Sequence, residues 1–464
     1  MTAMKRRPFA FLSLRGDSAW LLAIFLLALA LRVTWLHFVD PSPTDGRVDD
    51  AAVYHRTAVA ISNGEGFQWE DGFSGPPGGP FEMAPTAYWS VGYPAMLAGV
   101  YLLTDTNVLG AKLFNAVLGA ATCLLVYVVG RQVFDRRAGL VGAGILALFP
   151  SQVFLPTLLM TETPWTFLTM LLLALTLVLT LRGNRVDAET GKSRLRVFGY
   201  AGRASWLPVA LLGLAFGAAS LVRGEMLAFP LALVAVWAIA YRSGRRAAGY
   251  GVVAVAAMLL ALLPWTLRNW KALGYPVLVS TGSADNLVAG HWPGADGLGS
   301  FVPGIEANNA HKELPAPERE VAVYKEEVRR ALSFMVHNPS KELELIPKKL
   351  RHFYQRDSRP LDLIRLHPYA LSEQNKDLFS NVANVYYYCA AGLALLGLPL
   401  WLSLRNPKKL LIVAFVIYYS FLFGFVFIGE ERLHAAVIPM LSLLAAVPLA
   451  WASERAPRLL SRGT

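Results

Sequence analysis

Long apolar runs separated by short charged clusters dominate this chain, and their lengths decide what they are. A bilayer core about 30 Å thick takes roughly 20 apolar residues per helix. Runs of that order recur at residues 20–38, 107–130, 138–156, 164–181, 206–222, 225–241, 247–264, 383–403, 410–428 and 434–452. The pattern predicts an all-α polytopic membrane protein of about ten transmembrane helices. Basic residues collect in the short connections: Arg131, Arg136 and Arg137, then 182–203, then Arg242, Arg245 and Arg246, then Arg405, Lys408 and Lys409, then 455–462. With those clusters in the cytoplasm the orientation is consistent at every turn and both termini are inside. The run at 20–38 follows Lys5, Arg6, Arg7 and Arg15. It is too long for the apolar core of a signal peptide and no small-residue cleavage site follows, so it reads as a signal anchor.

Two segments are too long and polar to be turns, and the same alternation puts both outside. The resulting organisation is a cytoplasmic start (1–19), a first helix (20–38), a periplasmic loop (39–106), helices two to seven (107–264), a second periplasmic loop (265–382), helices eight to ten (383–452) and a cytoplasmic tail (453–464). In the first loop Tyr54, Ala58 and Ile61 repeat at helical spacing, which predicts a short helix along the membrane surface, ended by Gly64 and Gly66. The apolar stretch from Tyr93 to Leu103 is too short to span. In the second loop Val321, Tyr324, Val328, Ala331, Leu332 and Met335 share one helical face, stopped at Asn338 and Pro339, and Leu343, Ile346, Leu350 and Phe353 follow on another. These predict a small helical cap. No internal repeat and no soluble catalytic domain is visible.

Composition agrees with the pattern. Of 464 residues 55% are hydrophobic and only 16% charged, with mean hydropathy +0.42, which excludes an ordinary soluble domain. The net charge of +11 lies in connections between apolar runs, not in a phosphate-tracking stripe, so no nucleic-acid partner is expected. Cys123 and Cys389 both fall inside apolar runs and have no loop to staple.

Candidate chemistry concentrates at the predicted outer helix ends. Asp40, Asp45, Asp49 and Asp50 follow the first helix, with Tyr54 and His55 just beyond. A carboxylate there can accept a proton from an acceptor hydroxyl or amine; it can equally cap a helix N-terminus. Glu162, in Thr161-Glu162-Thr163-Pro164, sits where an acid is costly unless paired or facing a cavity. Arg223, Arg268 and Arg432 break the positive-inside rule, all at outer helix ends. Guanidinium grips phosphate with two parallel hydrogen bonds, so three on one face suit a lipid phosphate. Snorkelling to headgroups, or pairing with Glu225 and Glu431, is the alternative for each. Arg32 lies within the first helix and must face the bundle or reach outward, and reads as structural. Zinc spacings, phosphate loops and a Ser-His-Asp arrangement are absent from workable contexts.

In their order along the chain, these pieces resemble the GT-C superfamily of membrane glycosyltransferases, in the bacterial branch related to protein O-mannosyltransferases and to the aminoarabinose transferases that modify lipid A. The carriers are residues 50–67 (DAAVYHRTAVAISNGEGF), 85–94 (PTAYWSVGYP), 161–164 (TETP), 221–225 (LVRGE), 264–274 (PWTLRNWKALG), 280–297 and 431–439 (ERLHAAVIP). The sequence departs from the pattern at 282–286 and 290–293, where relatives carry Gly-Tyr-Asn-Leu and Gly-Asn-Asn-Pro. The resemblance implies an inverting transfer of a sugar from a polyprenyl-phosphate donor to a lipid, glycan or protein acceptor, at the outer face of the cytoplasmic membrane. It makes Asp50 the catalytic base, with Asp49 as the substitute and Glu162 as the second acid. Arg223, Arg268 and Arg432 become the phosphate site, and Tyr54, His55, Tyr88, Asn286, His291 and His434 the substrate contacts.

A polyprenyl phosphate leaves without protonation, so one base and several cations suffice and no cofactor is required. Magnesium or manganese between Asp49 or Asp50 and Glu162 stays open. Two further readings stay open too: a transporter or lipid flippase, which predicts inverted repeats and broken helices near the midplane, and a ligase or polymerase using a pyrophosphate-linked glycan.

Overall fold

The apolar runs fold as helices packed side by side in a computed structural model, which describes residues 16–39, 41–43, 50–70, 83–181, 185–186, 193–194, 206–365 and 371–460. Asp40, Asp45 and Asp49 lie outside the described residues, as does most of the expected basic connection at 182–203. The chain begins with α1 (Ser18–Phe38), α2 (Asp50–Ser62), a two-stranded hairpin of β1 (Gln68–Glu70) and β2 (Met83–Pro85), and α3 (Gly92–Thr104). The bundle follows with α4 (Val108–Val133), α5 (Arg136–Ala147), α6 (Pro150–Phe154), α7 (Glu162–Thr180), α8 (Leu207–Ser220), α9 (Phe229–Tyr241) and α10 (Gly244–Leu273). A cap is built from α11 (Ser283–Gly290), α12 (Val302–Ala310), α13 (Ala316–His337), α14 (Pro339–Tyr354) and α15 (Arg359–Arg365). The chain then returns to the bundle with α16 (Glu373–Leu396), the short α17 (Leu398–Trp401), α18 (Pro407–Phe421) and α19 (Ile438–Leu460).

Among the described residues six helical stretches are long and apolar enough to cross a membrane: α1, α4, α7, Gly224–Tyr241, α10 and Pro407–Val426. The expected helix at 138–156 is two helices, α5 and α6, bent by 60°. Proline lacks an N–H and pushes its predecessor out of the helical region, and Phe149, before Pro150, is extended at φ −68° and ψ 114°. The expected span at 206–222 is α8, only 14 residues long. Those at 383–403 and 434–452 correspond to α16 and α19.

One end of the bundle gathers the basic connections. Asp17, before α1, accepts hydrogen bonds from Tyr127 of α4 and Arg136 of α5, and Arg131 lies 3.7 Å from it. Lys408 at the start of α18 donates to the Gln132 carbonyl at 3.3 Å, and Arg137 pairs with Glu454 at 3.6 Å. The cap closes the other end. Inside the bundle Arg32 is buried, with Nη1 on the Ala28 carbonyl at 2.8 Å, so of the two expected orientations it takes the one facing the bundle.

The expected surface helix is α2, ended by Gly64 and Gly66 at positive φ. It is not exposed along the surface: Ala51 to His55, Thr57, Ala58 and Ala60 are buried, and α3 packs over it. In the cap, α13 and α14 form where the helical faces predict them and meet at Asn338 and Pro339. α11 packs on α12 and α13.

Candidate active site

Two carboxylates open helices at the cap end of the bundle. Asp50 stands in the first turn of α2 and Glu162 in the first turn of α7, where the exposed N–H groups favour negative charge. Glu162 is only 2% exposed, and a carboxylate at that depth needs cations. Two arginines supply them. Arg223 Nη1 donates to Glu162 at 3.2 Å and to the Thr161 hydroxyl at 2.9 Å, while its Nε donates to Glu225 at 2.7 Å. Arg432 Nη1 donates to Asp50 at 3.0 Å, and its Nε lies 3.3 Å from Glu430 and 3.9 Å from Glu162. Arg432 thus bridges the two helix-opening carboxylates. Among the described residues the Nη2 group of neither arginine has a protein partner, which leaves each guanidinium an edge for an anion.

Tyr54, one turn along α2 from Asp50, is buried edge-on against Tyr93 at 5.4 Å. Burial and the Asp50 charge raise its phenol well above the usual range. Its hydroxyl stays protonated inside the field of Asp50, Glu162, Arg223 and Arg432, with no hydrogen-bond partner among the described residues.

Close backbone approaches hold the two arginines in place. Gly92, opening α3, donates its N–H to the Leu221 carbonyl at 2.6 Å, and a Cβ there would meet the backbone of Leu221 and Val222 at 2.6 Å. Arg223 follows immediately. On the other side α18 runs into a π-helical turn, Leu422–Val426, which leads into the irregular segment around Gly429. Such turns are frequent at functional sites. Gly429 donates to the Gly297 carbonyl at 3.0 Å, and a Cβ on it would sit 1.9 Å from the Lys349 carbonyl oxygen of α14. The next turn, Glu431–Ala436, is pinned to the cap: Arg356 holds Glu431 at 2.7 and 2.8 Å, and Arg359 holds Glu430 at 3.2 Å. The cap therefore positions Arg432.

Arg268 does not join this cluster, and the expected ring of three arginines becomes a pair. α10 runs nine residues past the predicted end at 264, to Leu273. There Arg268 donates to the Thr86 carbonyl at 2.7 Å and to the Phe67 carbonyl, stacked over Trp265 at 5.0 Å. Backbone carbonyls outside regular structure need donors as much as phosphates do, and this guanidinium serves them.

The expected substrate contacts separate in the same way. Tyr54 faces the cluster. Tyr88 donates to Asp285 at 2.8 Å on the wall of a neighbouring cavity. His55 is buried against the Tyr101 hydroxyl at 2.7 Å, and burial lowers its pKa. His291 is buried between Glu342 at 2.8 Å, the Val426 carbonyl at 3.0 Å and Lys349 at 3.0 Å. Burial and the Lys349 charge push its pKa down. His434 is buried between the Phe353 carbonyl at 2.6 Å and Asp357 at 2.8 Å. Asn286 is exposed on α11, with its amide 3.5 Å from the Gly282 carbonyl.

Sequence reasoning missed the cavity altogether. It encloses about 420 Å³ beside Asp50, between the 84–89 segment and helices α11, α12 and α13. The signal was present: Glu320 and Glu327 lie beside the apolar stripe of α13, where an acid calls for a reason. Among the described residues no three His, Cys, Asp or Glu side chains are grouped to hold a metal ion. Between Asp50 and Glu162 the bridging cation is Arg432.

Residues 90–189 match the family model described as dolichyl-phosphate-mannose-protein mannosyltransferase. No curated protein sequence matches the chain. Among solved structures, the oligosaccharyltransferase of Archaeoglobus fulgidus in its apo form is 14% identical with a TM-score of 0.53, covering 97% of this chain and 52% of that one. The archaeal oligosaccharyltransferase AglB from the same organism, in complex with an inhibitory peptide and a dolichol-phosphate, is 13% identical with a TM-score of 0.51 over the same shares. ArnT from Cupriavidus metallidurans bound to undecaprenyl phosphate is 13% identical at a TM-score of 0.43, covering 95% of this chain and 80% of that one. This chain spans about half the length of the archaeal enzymes it matches.

The two glycine contacts predict distinct losses. Gly429→Ala must push the Gly429 segment off α14 and displace Arg432, and Gly92→Ala must displace Arg223. Each is expected to lower affinity for a polyprenyl-phosphate probe by about tenfold or more, the scale of one charge-assisted hydrogen bond, with the bundle still folded by circular dichroism. Unchanged affinity in both variants would show that the arginines are not held by these contacts.

Proposed function

We propose that this chain, which has the fold of the GT-C membrane glycosyltransferases, transfers a sugar from a polyprenyl-phosphate donor to an acceptor, with inversion at the anomeric carbon. The carrying observation is that Arg432 links Asp50 to Glu162 and Glu162 links Arg432 to Arg223, so that a base and two phosphate-binding groups share one site. Four segments far apart in the chain meet there, and the match over residues 90–189 includes Glu162. The dolichol-phosphate bound by an archaeal protein of this fold is of the same donor class.

In the reaction Asp50 takes the proton of the acceptor hydroxyl, the acceptor oxygen bonds to the anomeric carbon, and the bond from that carbon to the phosphate oxygen breaks. The phosphate leaves as an anion on the free guanidinium edges of Arg223 and Arg432. Attack opposite the leaving group inverts the centre, as in single-displacement glycosidases. Glu162 keeps both guanidinium groups aimed, and Tyr54 offers a hydroxyl beside them.

The salt bridge from Arg432 to Asp50 adds a coupling. While Arg432 holds Asp50, one oxygen of the carboxylate is occupied by a guanidinium N–H. A donor phosphate that draws Arg432 away frees the base at the moment the sugar arrives. The phosphate cations here are arginines, and we assign no step to a divalent metal.

We place the cap and this site at the extracytoplasmic face of the cytoplasmic membrane, because the basic connections gather at the opposite end. Both termini are then cytoplasmic. The donor is lipid-linked and the acceptor enters from the cap side.

With labelled polyprenyl-phosphate sugar and reconstituted protein, Asp50→Asn is expected to lower the transfer rate by about 10²- to 10⁴-fold, the range for a lost general base. Donor affinity should be equal or higher, since Arg432 loses a competitor. Full activity in Asp50→Asn, or donor moved across the membrane with no polyprenyl phosphate released, would end the reading. Arg223→Ala and Arg432→Ala should each weaken donor binding by roughly 10- to 100-fold, as expected for a hydrogen bond to a charged group. Activity in metal-free buffer with a chelator is expected to equal that with magnesium or manganese; loss on chelation and rescue by either ion would restore the metal alternative.

A further inference from the structure

The cavity beside Asp50 has walls of two kinds. One is aromatic: Trp69 and Trp89 meet at 5.6 Å, Tyr88 packs on Trp89 at 4.5 Å, and Phe301 and Tyr324 line it too. The other is polar, with Asp285, Asn308, Arg319, Glu320 and Glu327. At about 420 Å³ it lies in the usual range of small-ligand sites, about 300–1,000 Å³.

The polar groups are not equivalent. Glu320 is taken up by Thr86 at 2.7 Å, the Ala87 N–H at 2.9 Å and Thr281 at 2.8 Å, and braces the wall. Asp285 accepts from Tyr88 and keeps further lone pairs. Glu327 is 4% exposed and has no hydrogen-bond partner among the described residues. A buried polar group left so is costly unless a ligand or water meets it. Burial and the charge of Asp285 push Glu327 up to about 8, so at neutral pH it is mostly a carboxylic acid that can both donate and accept. With Glu327 mostly neutral, Glu320 already hydrogen-bonded and Arg319 in the same wall, the lining offers no single-sign field for an ion, which suits a neutral ligand. A cation would be served by bare carboxylates alone, whereas this wall interleaves donors with acceptors.

We infer that this cavity binds a pyranose unit of a neutral glycan, its ring against Trp69 and Trp89 and its hydroxyls on Asp285, Asn308 and Glu327. Sugar rings offer apolar C–H faces to aromatic planes and a rim of hydroxyls that each donate and accept, which is the pairing found here. The assignment of that glycan as the acceptor rests on the transferase reading above. Its physical link is Trp89, which lines the cavity while its indole N–H points to Asp50 at 3.4 Å. A sugar lying on Trp89 presents its edge toward the base.

The test uses full-length protein in nanodiscs, without donor, titrated with neutral disaccharides of hexoses and N-acetylhexosamines, with spermidine and glucose 6-phosphate as cationic and anionic probes. Binding is read by tryptophan fluorescence and by saturation-transfer NMR of the sugar. At least one neutral disaccharide is expected to bind saturably at millimolar concentration, and Trp69→Leu, Glu327→Leu and the surface-accessible Asn308→Ala should each weaken it by about tenfold. No saturable binding by any neutral disaccharide, preference for spermidine, or indifference to Asn308→Ala and Glu327→Leu together would overturn the assignment. In a transfer assay the same variants should raise the acceptor KM with little change in kcat and no change in donor affinity. If the disaccharide binds as stated but no polyprenyl phosphate is released, the glycan site stands and the transferase reading falls. If transfer proceeds with acceptor KM unmoved in all three variants, the transferase stands and the cavity assignment falls.

Discussion

The buried carboxylate of Glu162 is the constraint around which the cap end of this protein is arranged. A charge almost fully removed from water, at the end of an apolar helix, is tolerable only with cations and hydrogen bonds in place. Arg223 and Arg432 meet that demand, and each then needs its own carboxylates, Glu225 on one side and Asp50 and Glu430 on the other. The chain of pairs forces α2, α7, the turn between α8 and α9 and the turn before α19 to converge. Removing any one member leaves another charge buried without its partner, so the cluster is held as a unit and its contributions will not be additive.

The cap follows from the same requirement. Arg432 stands on a turn that is irregular on both sides, a π-helical segment before it and a 3₁₀ turn on its own residues. A turn of that kind does not fix a side chain to the accuracy that a reacting site needs, so the fold braces it from above. Arg356 and Arg359, His434 with Asp357, and the contact of Gly429 with α14 all join this turn to the cap. The cap thus does two jobs with one set of helices: α14 sets the cation, and α11 to α13 shape the cavity.

Much of this was legible in the sequence, for stated physical reasons. Helix positions follow from length and hydropathy because lipid leaves the backbone few alternatives. Asp50, Glu162, Arg223 and Arg432 stood out because charge at an outer helix end is costly and so needs a cause. Arg268 gave the same signal, yet its guanidinium meets the carbonyls of Phe67 and Thr86. A guanidinium looks the same in sequence whether its acceptor is a phosphate or a peptide oxygen. His291 and His434 were singled out by position, but their surroundings depend on contacts 58 and 81 residues away, which no local pattern encodes. The cavity was hidden for a related reason: Trp69, Trp89, Asp285 and Glu327 come from four elements, and only the acid beside the apolar stripe of α13 hinted at it. The break at Pro150 was readable but was overridden by the length of the apolar run.

The separation of the two charged regions has a mechanistic consequence. One oxygen of Asp50 meets a guanidinium suited to an anion, and the other meets the indole of an aromatic, hydrogen-bonding wall. Under the transferase proposal, a donor ending in phosphate and an acceptor made of hydroxyls would meet different groups around the same carboxylate, without a gate. In the proposed reaction the leaving group departs as a stable anion, so no acid is needed on the donor side and the single base can sit where both substrates would reach it. Arg432 and Trp89 both contact Asp50, each on a different oxygen of the carboxylate. The carboxylate is aimed by the two walls it serves, which is why its geometry depends on the cap and the bundle equally.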